Sequence, residues 1–302
     1  MNRPGRLTVA VLALLMPFAS AAAMAEAPPG PIPQGQEGQR VVSMNLCTDQ
    51  LALLIARPGQ LVSVSRLAAR ADMAVVSDLV TPEMAINHGL AEEIIRLEPD
   101  LVLAGIYTTR ATVQLLKRLG TRVEEFTPEA SFDDLKANIR RMADLLGNRE
   151  RGEALVAAFE AELAKTPAQW TSGEAPVVGS YATNTYTAGA GTLENQIVRA
   201  AGLRHLGEDM GISGSRRVPL ERLLLADPDY VMISPRFVNN PSRAAEILRH
   251  PALDLRFPDE RRIAADVRYS ICGAPFTAEA VTRLRQAVER TEMKPEESSA
   301  RP

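Results

Sequence analysis

Cysteine, histidine and aromatic residues are scarce in this chain. Its 302 residues include two Cys, three His, one Trp, five Tyr and seven Phe. Two cysteines are no disulfide framework, so the fold must hold by its core, and 46% hydrophobic residues are enough to build one. His88, His205 and His250 are widely scattered, which argues against a compact histidine shell for a free divalent ion. Gly-x-Ser-x-Gly, His-Glu-x-x-His and P-loop patterns are missing, and no cofactor motif stands in their place. Nor is there a nucleophile–base arrangement, so nothing in the sequence points to an enzyme. Basic excess is lacking too: a net charge of −3 gives no general attraction for nucleic acid or anionic lipid.

Only one long apolar run occurs, and it lies at the N-terminus. Arg3 and Arg6 precede the stretch 7–19, and Ala23-Met24-Ala25 follows as a small-x-small site. This is the pattern of a signal peptide over residues 1–25, too short to span a bilayer comfortably. No cysteine lies near the cleavage point to carry a lipid. Removing Arg3 and Arg6 with it takes the net charge from −3 to −5. Residues 26–39, rich in Pro, Gly and Gln, read as a disordered leader, and residues 293–302 as a frayed polar tail.

Between them, β-rich runs alternate with helical ones. Strands are expected at 40–44, 61–65, 101–104 and 122–126, with helical signals following residue 45 and over 111–119. That alternation implies an α/β fold with a parallel sheet. From Ser131 the period becomes helical, with Asp134 placed for a capping box and Leu135, Ile139, Met142 and Leu146 on one stripe. Gly147-Asn148 marks a stop and restart, and a second helix runs from Arg149 to about Lys165. Two tandem helices break the alternation, and the second reads as a connector. Alternation resumes at 177–179, with helices at 193–201, 220–226, 244–249 and 277–289 and a strand at 230–233. The expected domains are an N-terminal lobe over 40–130, a helical segment over 131–168 and a C-terminal lobe over 169–292.

A faint repeat runs through both lobes. Glu92 lies seven positions before Pro99-Asp100-Leu101, and Glu221 lies seven before Pro228-Asp229-Tyr230. Each module is a helix closed by Pro-Asp and followed by a strand.

Four stretches together carry a resemblance: Val41 to Leu51 (VVSMNLCTDQL), the two Glu…Pro-Asp modules, Tyr186-Thr187-Ala188-Gly189, and Cys272-Gly273-Ala274-Pro275-Phe276. In this order and spacing the chain resembles the periplasmic binding proteins for ferric siderophores, haem and cobalamin that serve ABC importers. The resemblance covers roughly residues 40–288. It implies two Rossmann-like lobes joined by one long rigid helix, with a ligand cleft between them. It also implies a periplasmic, monomeric carrier without a cofactor, which passes a metal chelate to importer permease subunits. Glu92 and Glu221 would then dock on those subunits.

Candidate ligand contacts follow from the loops beyond strand carboxyl ends, where open α/β sheets bind ligands. Tyr107 and Arg110 follow the strand at 101–104. Tyr181, Asn184 and Tyr186 follow the strand at 177–179, and Arg236 and Tyr269 follow later strands. Tyrosine offers a flat apolar face with a polar tip, and arginine meets acidic groups. His88, in the turn Ile86-Asn87-His88-Gly89, joins them through the resemblance, as do Cys47, Thr48 and Cys272 at the cleft edges. For Cys47 and Cys272 three readings stand: a disulfide across the cleft, two free thiols, or part of a soft-metal site. A rival function follows from the last two, a periplasmic redox enzyme or soft-metal binder using Cys47, Cys272 and His88.

Overall fold

The computed structural model describes residues 38–292, with residues 172, 240 and 241 set aside. The signal-peptide reading, nearly all of the leader and the polar tail lie outside the described residues.

The first lobe holds β1 (Val41–Ser43), β2 (Leu61–Ser65), β3 (Ala85–Asn87), β4 (Leu101–Gly105) and β5 (Val123–Phe126). They form one parallel sheet in the order β3-β2-β1-β4-β5. Alternate residues of the central strands point to opposite faces. Val41, Leu101 and Leu103 pack with α1 (Leu46–Ile55) and α4 (Phe132–Leu145). Val42 and Val102 pack with α2 (Ala91–Ile95) and α3 (Arg110–Arg118) on the other side. Covering both faces is why these strands read as unbroken apolar runs.

The second lobe holds β6 (Val177–Ser180), β7 (Tyr186–Ala188), β8 (Arg204–His205), β9 (Ser215–Arg217), β10 (Tyr230–Ile233) and β11 (Arg262–Ala264). Its parallel sheet runs β11-β10-β6-β8, and β7 and β9 form a separate antiparallel ribbon. One face carries α6 (Leu193–Ala200) and α11 (Thr277–Glu292). The other carries α8 (Leu220–Ala226) and α10 (Pro251–Arg256); two single-turn helices, α7 (Leu206–Asp209) and α9 (Pro235–Val238), complete the set.

Helix α5 (Arg149–Leu163) carries the chain from one lobe to the other. Leu155, Val156 and Phe159 bury in the first lobe's core, Phe159 edge-on to Phe132 at 5.3 Å, and Leu163 reaches the second lobe's core. The return crossing is α11. Phe276 and Ala278 sit in the first core, while Val281, Leu284 and Val288 sit in the second. Two helices thus share the span, which stiffens the joint more than one connector alone. Ser131 caps α4 as the sequence suggests, its Oγ accepting from Asp134 N at 3.1 Å, while the Asp134 carboxylate returns to Ala130 N at 3.1 Å, one residue before the cap.

The two Pro-Asp modules do the same work in both lobes. Asp100 accepts from Arg40 N at the start of β1, and Asp229 accepts from Val177 N at the start of β6, each at 2.7 Å. The residue before each proline, Glu98 and Asp227, takes a left-handed backbone with φ of 46° and 42°. Such matching strain at matching positions is difficult to explain except as a shared structural unit.

Candidate functional site

The carboxyl ends of the two parallel sheets face each other, because a set of ties joins their loops. Cys47, just after β1, is disulfide-bonded to Cys272 in the loop between β11 and α11, with Cα atoms 5.1 Å apart. Arg236, just after β10, donates to the Asp72 carbonyl at 2.8 Å and pairs with the Asp72 carboxylate in the loop after β2. Arg268, after β11, donates to the Ala71 carbonyl at 2.9 Å. Arg70 and Arg236 together hold the Asp72 carboxyl well below the usual range.

The floor of the cleft is built by one short run, Asn45 to Gln50. The Asn45 side chain accepts from Cys47 N at 3.0 Å and caps α1. Thr48 Oγ1 lies 2.8 Å from Ser43 Oγ on β1. Asp49 accepts from Ser65 at the end of β2 through both Ser65 N (3.2 Å) and Ser65 Oγ (2.5 Å). Gln50 Oε1 accepts from Val75 N at 2.8 Å, fixing the far end of the loop that holds Asp72. Burial pushes the Asp49 carboxyl up to about 6 against the pull of its hydrogen bonds. On the opposite side, Gly273 N donates to Glu129 Oε2 at 3.1 Å, and burial raises the Glu129 carboxyl. A Cβ on Gly273 would lie 2.6 Å from Glu129 Cγ, so any larger residue here would have to push the Glu129 side chain aside.

Several candidate contacts stand open at the cleft loops. Tyr107 is 83% exposed at the tip after β4. Arg110 begins α3 beside it, exposed. Asn184 is exposed in the turn after β6, with φ of 56°, and Thr185 beside it has φ of 64°, a costly conformation for a β-branched residue. Tyr186 is 41% exposed, with the Arg217 guanidinium 5.4 Å above its ring. Tyr269 is half-buried between Phe276 and Arg283, and its hydroxyl accepts from Arg283 at 3.1 Å. A cavity of about 310 Å³ opens beside it, floored by Met232, Ile263 and Leu284.

Four expectations need correction. Thr48 is 1% exposed and spends its hydroxyl on Ser43 and the Asn45 carbonyl, so it holds the floor and leaves no surface to a ligand. Tyr181 is 2% exposed, donating to the Val218 carbonyl at 3.2 Å; burial first, and the charge of Glu221 second, push its hydroxyl up to about 12. Cys272 is 1% exposed, and its bond to Cys47 replaces the free-thiol and soft-metal readings of both residues. His88 lies beyond edge strand β3, bonded to Glu93 at 3.1 Å and two strands from β1, which Cys47 follows, so the three residues of the redox rival do not converge. Among the described residues no three of His, Cys, Asp and Glu gather to hold a metal ion. Glu92 and Glu221 are both exposed in the first turns of their helices, α2 and α8.

The sequence reading missed Asp72 and Arg268, the cross-lobe partners, and the supporting Asp49, Gln50 and Glu129. Asp72 and Arg268 were within reach of the rule that picked Tyr107, since each lies in a loop beyond a strand's carboxyl end.

Residues 41–264 match the family model described as periplasmic binding protein. A cobalamin-binding protein of Halobacterium salinarum is 26% identical over 199 residues, 65% of this chain and 54% of that protein. The chain thus spans about half the length of the curated relatives it matches. The periplasmic heme-binding protein RhuT of Roseiflexus superposes with a TM-score of 0.69 at 24% identity, covering 84% of this chain and 98% of that one. The vitamin B12-binding protein BtuF of Vibrio cholerae does so at 0.63 and 18% identity, covering 85% and 98%. A molybdate-bound protein, MolA of Haemophilus influenzae, reaches 0.66 at 18% identity, covering 88% and 90%. These likenesses show the two-lobed fold.

Proposed function

The chain belongs to the periplasmic binding protein family, and from that premise we propose that it captures a metal chelate in the periplasm and delivers it to the permease of an ABC importer. The chelate is a ferric siderophore, haem or a corrinoid. The observation that carries the reading is the meeting of two parallel sheets at their carboxyl ends, tied by Cys47–Cys272 and Arg236–Asp72. Such a crevice buries a large ligand from both sides. Tyr107 and Tyr186 offer flat faces there, with Arg110, Asn184 and Arg236 as polar partners. No helix among the described residues is long and apolar enough to cross a membrane. The curated relative is a cobalamin-binding protein, and of the three solved neighbours one is heme-binding, one vitamin B12-binding and one molybdate-bound; the first three of these four support a chelate of that size.

Delivery rests on Glu92 and Glu221, one per lobe at the same place in a repeated module. A two-subunit permease presents two equivalent pockets, and two similar lobes can engage both. Charge pairs of this kind set orientation and on-rate. The test is the double change Glu92→Ala with Glu221→Ala. Chelate affinity should stay intact while uptake into vesicles carrying the importer falls sharply. Normal uptake by the double variant would remove the docking role, and lost chelate binding would place these glutamates at the cleft instead.

A further inference from the structure

The ties between the two lobes are of two kinds, and they differ in how readily they part. The first is covalent and buried. Cys272 comes from the second lobe's β11–α11 loop, yet it is 1% exposed, packed with Leu46 and Ala74 of the first lobe and bonded to Cys47. Only breaking the S–S bond separates the lobes at this point. The second kind is polar and open to solvent. A strap over residues 66–76 leaves the end of β2, and its tip pairs Asp72 with Arg236 and offers the Ala71 carbonyl to Arg268. The Asp72 side chain is 55% exposed. Ion pairs in contact with water contribute little and fade as salt rises. The root of the strap stays with the first lobe. Asp49 holds Ser65 just before it, Gln50 holds Val75, and Leu67 and Met73 pack against the cluster around Cys272. Any movement of one lobe against the other must therefore keep Cys47 beside Cys272, while Arg236 and Arg268 can let the tip go.

We propose that the Cys47–Cys272 disulfide is the pivot of the cleft and the strap 66–76 its latch. The lobes swing about the disulfide when the strap tip releases Arg236 and Arg268, and stand closed when the tip is held. The device belongs to the frame of the cleft and operates whatever cargo the cleft takes. Helices α5 and α11 cross between the lobes over one face of each sheet. A swing about the disulfide therefore shows most at α3 and α8, which cover the opposite faces.

The experiment is single-molecule energy transfer in the ligand-free mature protein. One dye stands at Arg118 at the end of α3 and the other at Arg222 on α8, both exposed. The dyes are attached through handles other than cysteine, so that the disulfide stays intact. Cutting the latch with Arg236→Gln and Arg268→Gln should raise the ratio of open to closed molecules roughly tenfold at low salt. Salt should shift wild type the same way and leave the latch variant unmoved. Both states should remain narrow, because the disulfide still fixes the pivot. Adding Cys47→Ala and Cys272→Ala to the latch variant should spread the molecules over a broad range of distances. Wild type reduced in denaturant, refolded with reductant and measured at high salt should do the same, which keeps the test decisive if the alanine chain fails to fold. A distribution indifferent to both salt and the latch variant would overturn the latch. Two narrow states that persist without the disulfide would overturn the pivot.

Discussion

Removing the Cys47–Cys272 disulfide should cost a large part of this protein's stability. The bond closes a loop with a sequence separation of 225. The chain-entropy relation gives about 5 kcal/mol for a loop of that length, and measured values usually fall nearer 2–4 kcal/mol. Its Cα separation of 5.1 Å lies within the ordinary reach of a disulfide, so the folded backbone need not move to make it. A loss of about 3 kcal/mol in a domain of this size lowers Tm by roughly 6–12 °C. The perturbation is Cys47→Ala with Cys272→Ala, followed by scanning calorimetry of the mature chain. Alanine at the buried position 272 leaves a small void of its own, so wild type reduced in denaturant and refolded with reductant serves as the second arm. Both arms should show the drop, and unfolded, unreduced wild type should offer no alkylatable thiol. Two free thiols, or an unchanged Tm in both arms, would refute the reasoning.

Three further outcomes follow from the same geometry. Asp49 is buried with its carboxyl at about 6, above the ordinary 3.8. The folded form thus holds the proton more tightly, and this group's stabilising contribution is full below about pH 4 and lost as pH rises through 6. Relative to Asp49→Asn, wild type should lose roughly 3 kcal/mol between those limits, read from urea midpoints at several pH values; a gap independent of pH would count against it. Tyr107→Ala should weaken chelate binding by about 1–3 kcal/mol without lowering Tm, because the side chain is 83% exposed. Tyr269→Ala should lower Tm as well, since it abandons Phe276 and Arg283; a Tm unmoved by Tyr269→Ala would show that this packing contributes little.

The lobes were legible in the sequence because their central strands are apolar on both faces and their helices carry clear caps. The strand 230–233 and the helix 220–226 appear in the structure with the expected bounds. Strands β3, β7, β8 and β9 escaped notice because two or three residues show no period, and the strand before Tyr269 was expected without bounds. The site was harder. Thr48 is a cleft candidate only through the resemblance, yet it stands three, four and seven residues before Leu51, Ala52 and Ile55. That is the buried stripe of α1, and its periodicity was there to be used. Tyr181 directly follows the buried strand β6, and nothing in the local pattern tells an inward tyrosine from an outward one. The disulfide between Cys47 and Cys272 was one of three readings the sequence left open, and the structure forms it; choosing among the three depends on the two lobes meeting, which no local signal encodes. The Arg236–Asp72 bridge escaped because it too depends on that meeting, its partners standing 164 residues apart.

The central claim is that the cleft takes one metal chelate per chain. Calorimetric titration of the mature protein against ferric siderophores, haemin and cobalamin, beside bare ferric and divalent ions, tests it most directly. The account predicts saturable binding of at least one chelate at a single site per chain, lost or weakened in Tyr107→Ala. Binding of bare metal ions alone, with no heat from any chelate, would contradict it.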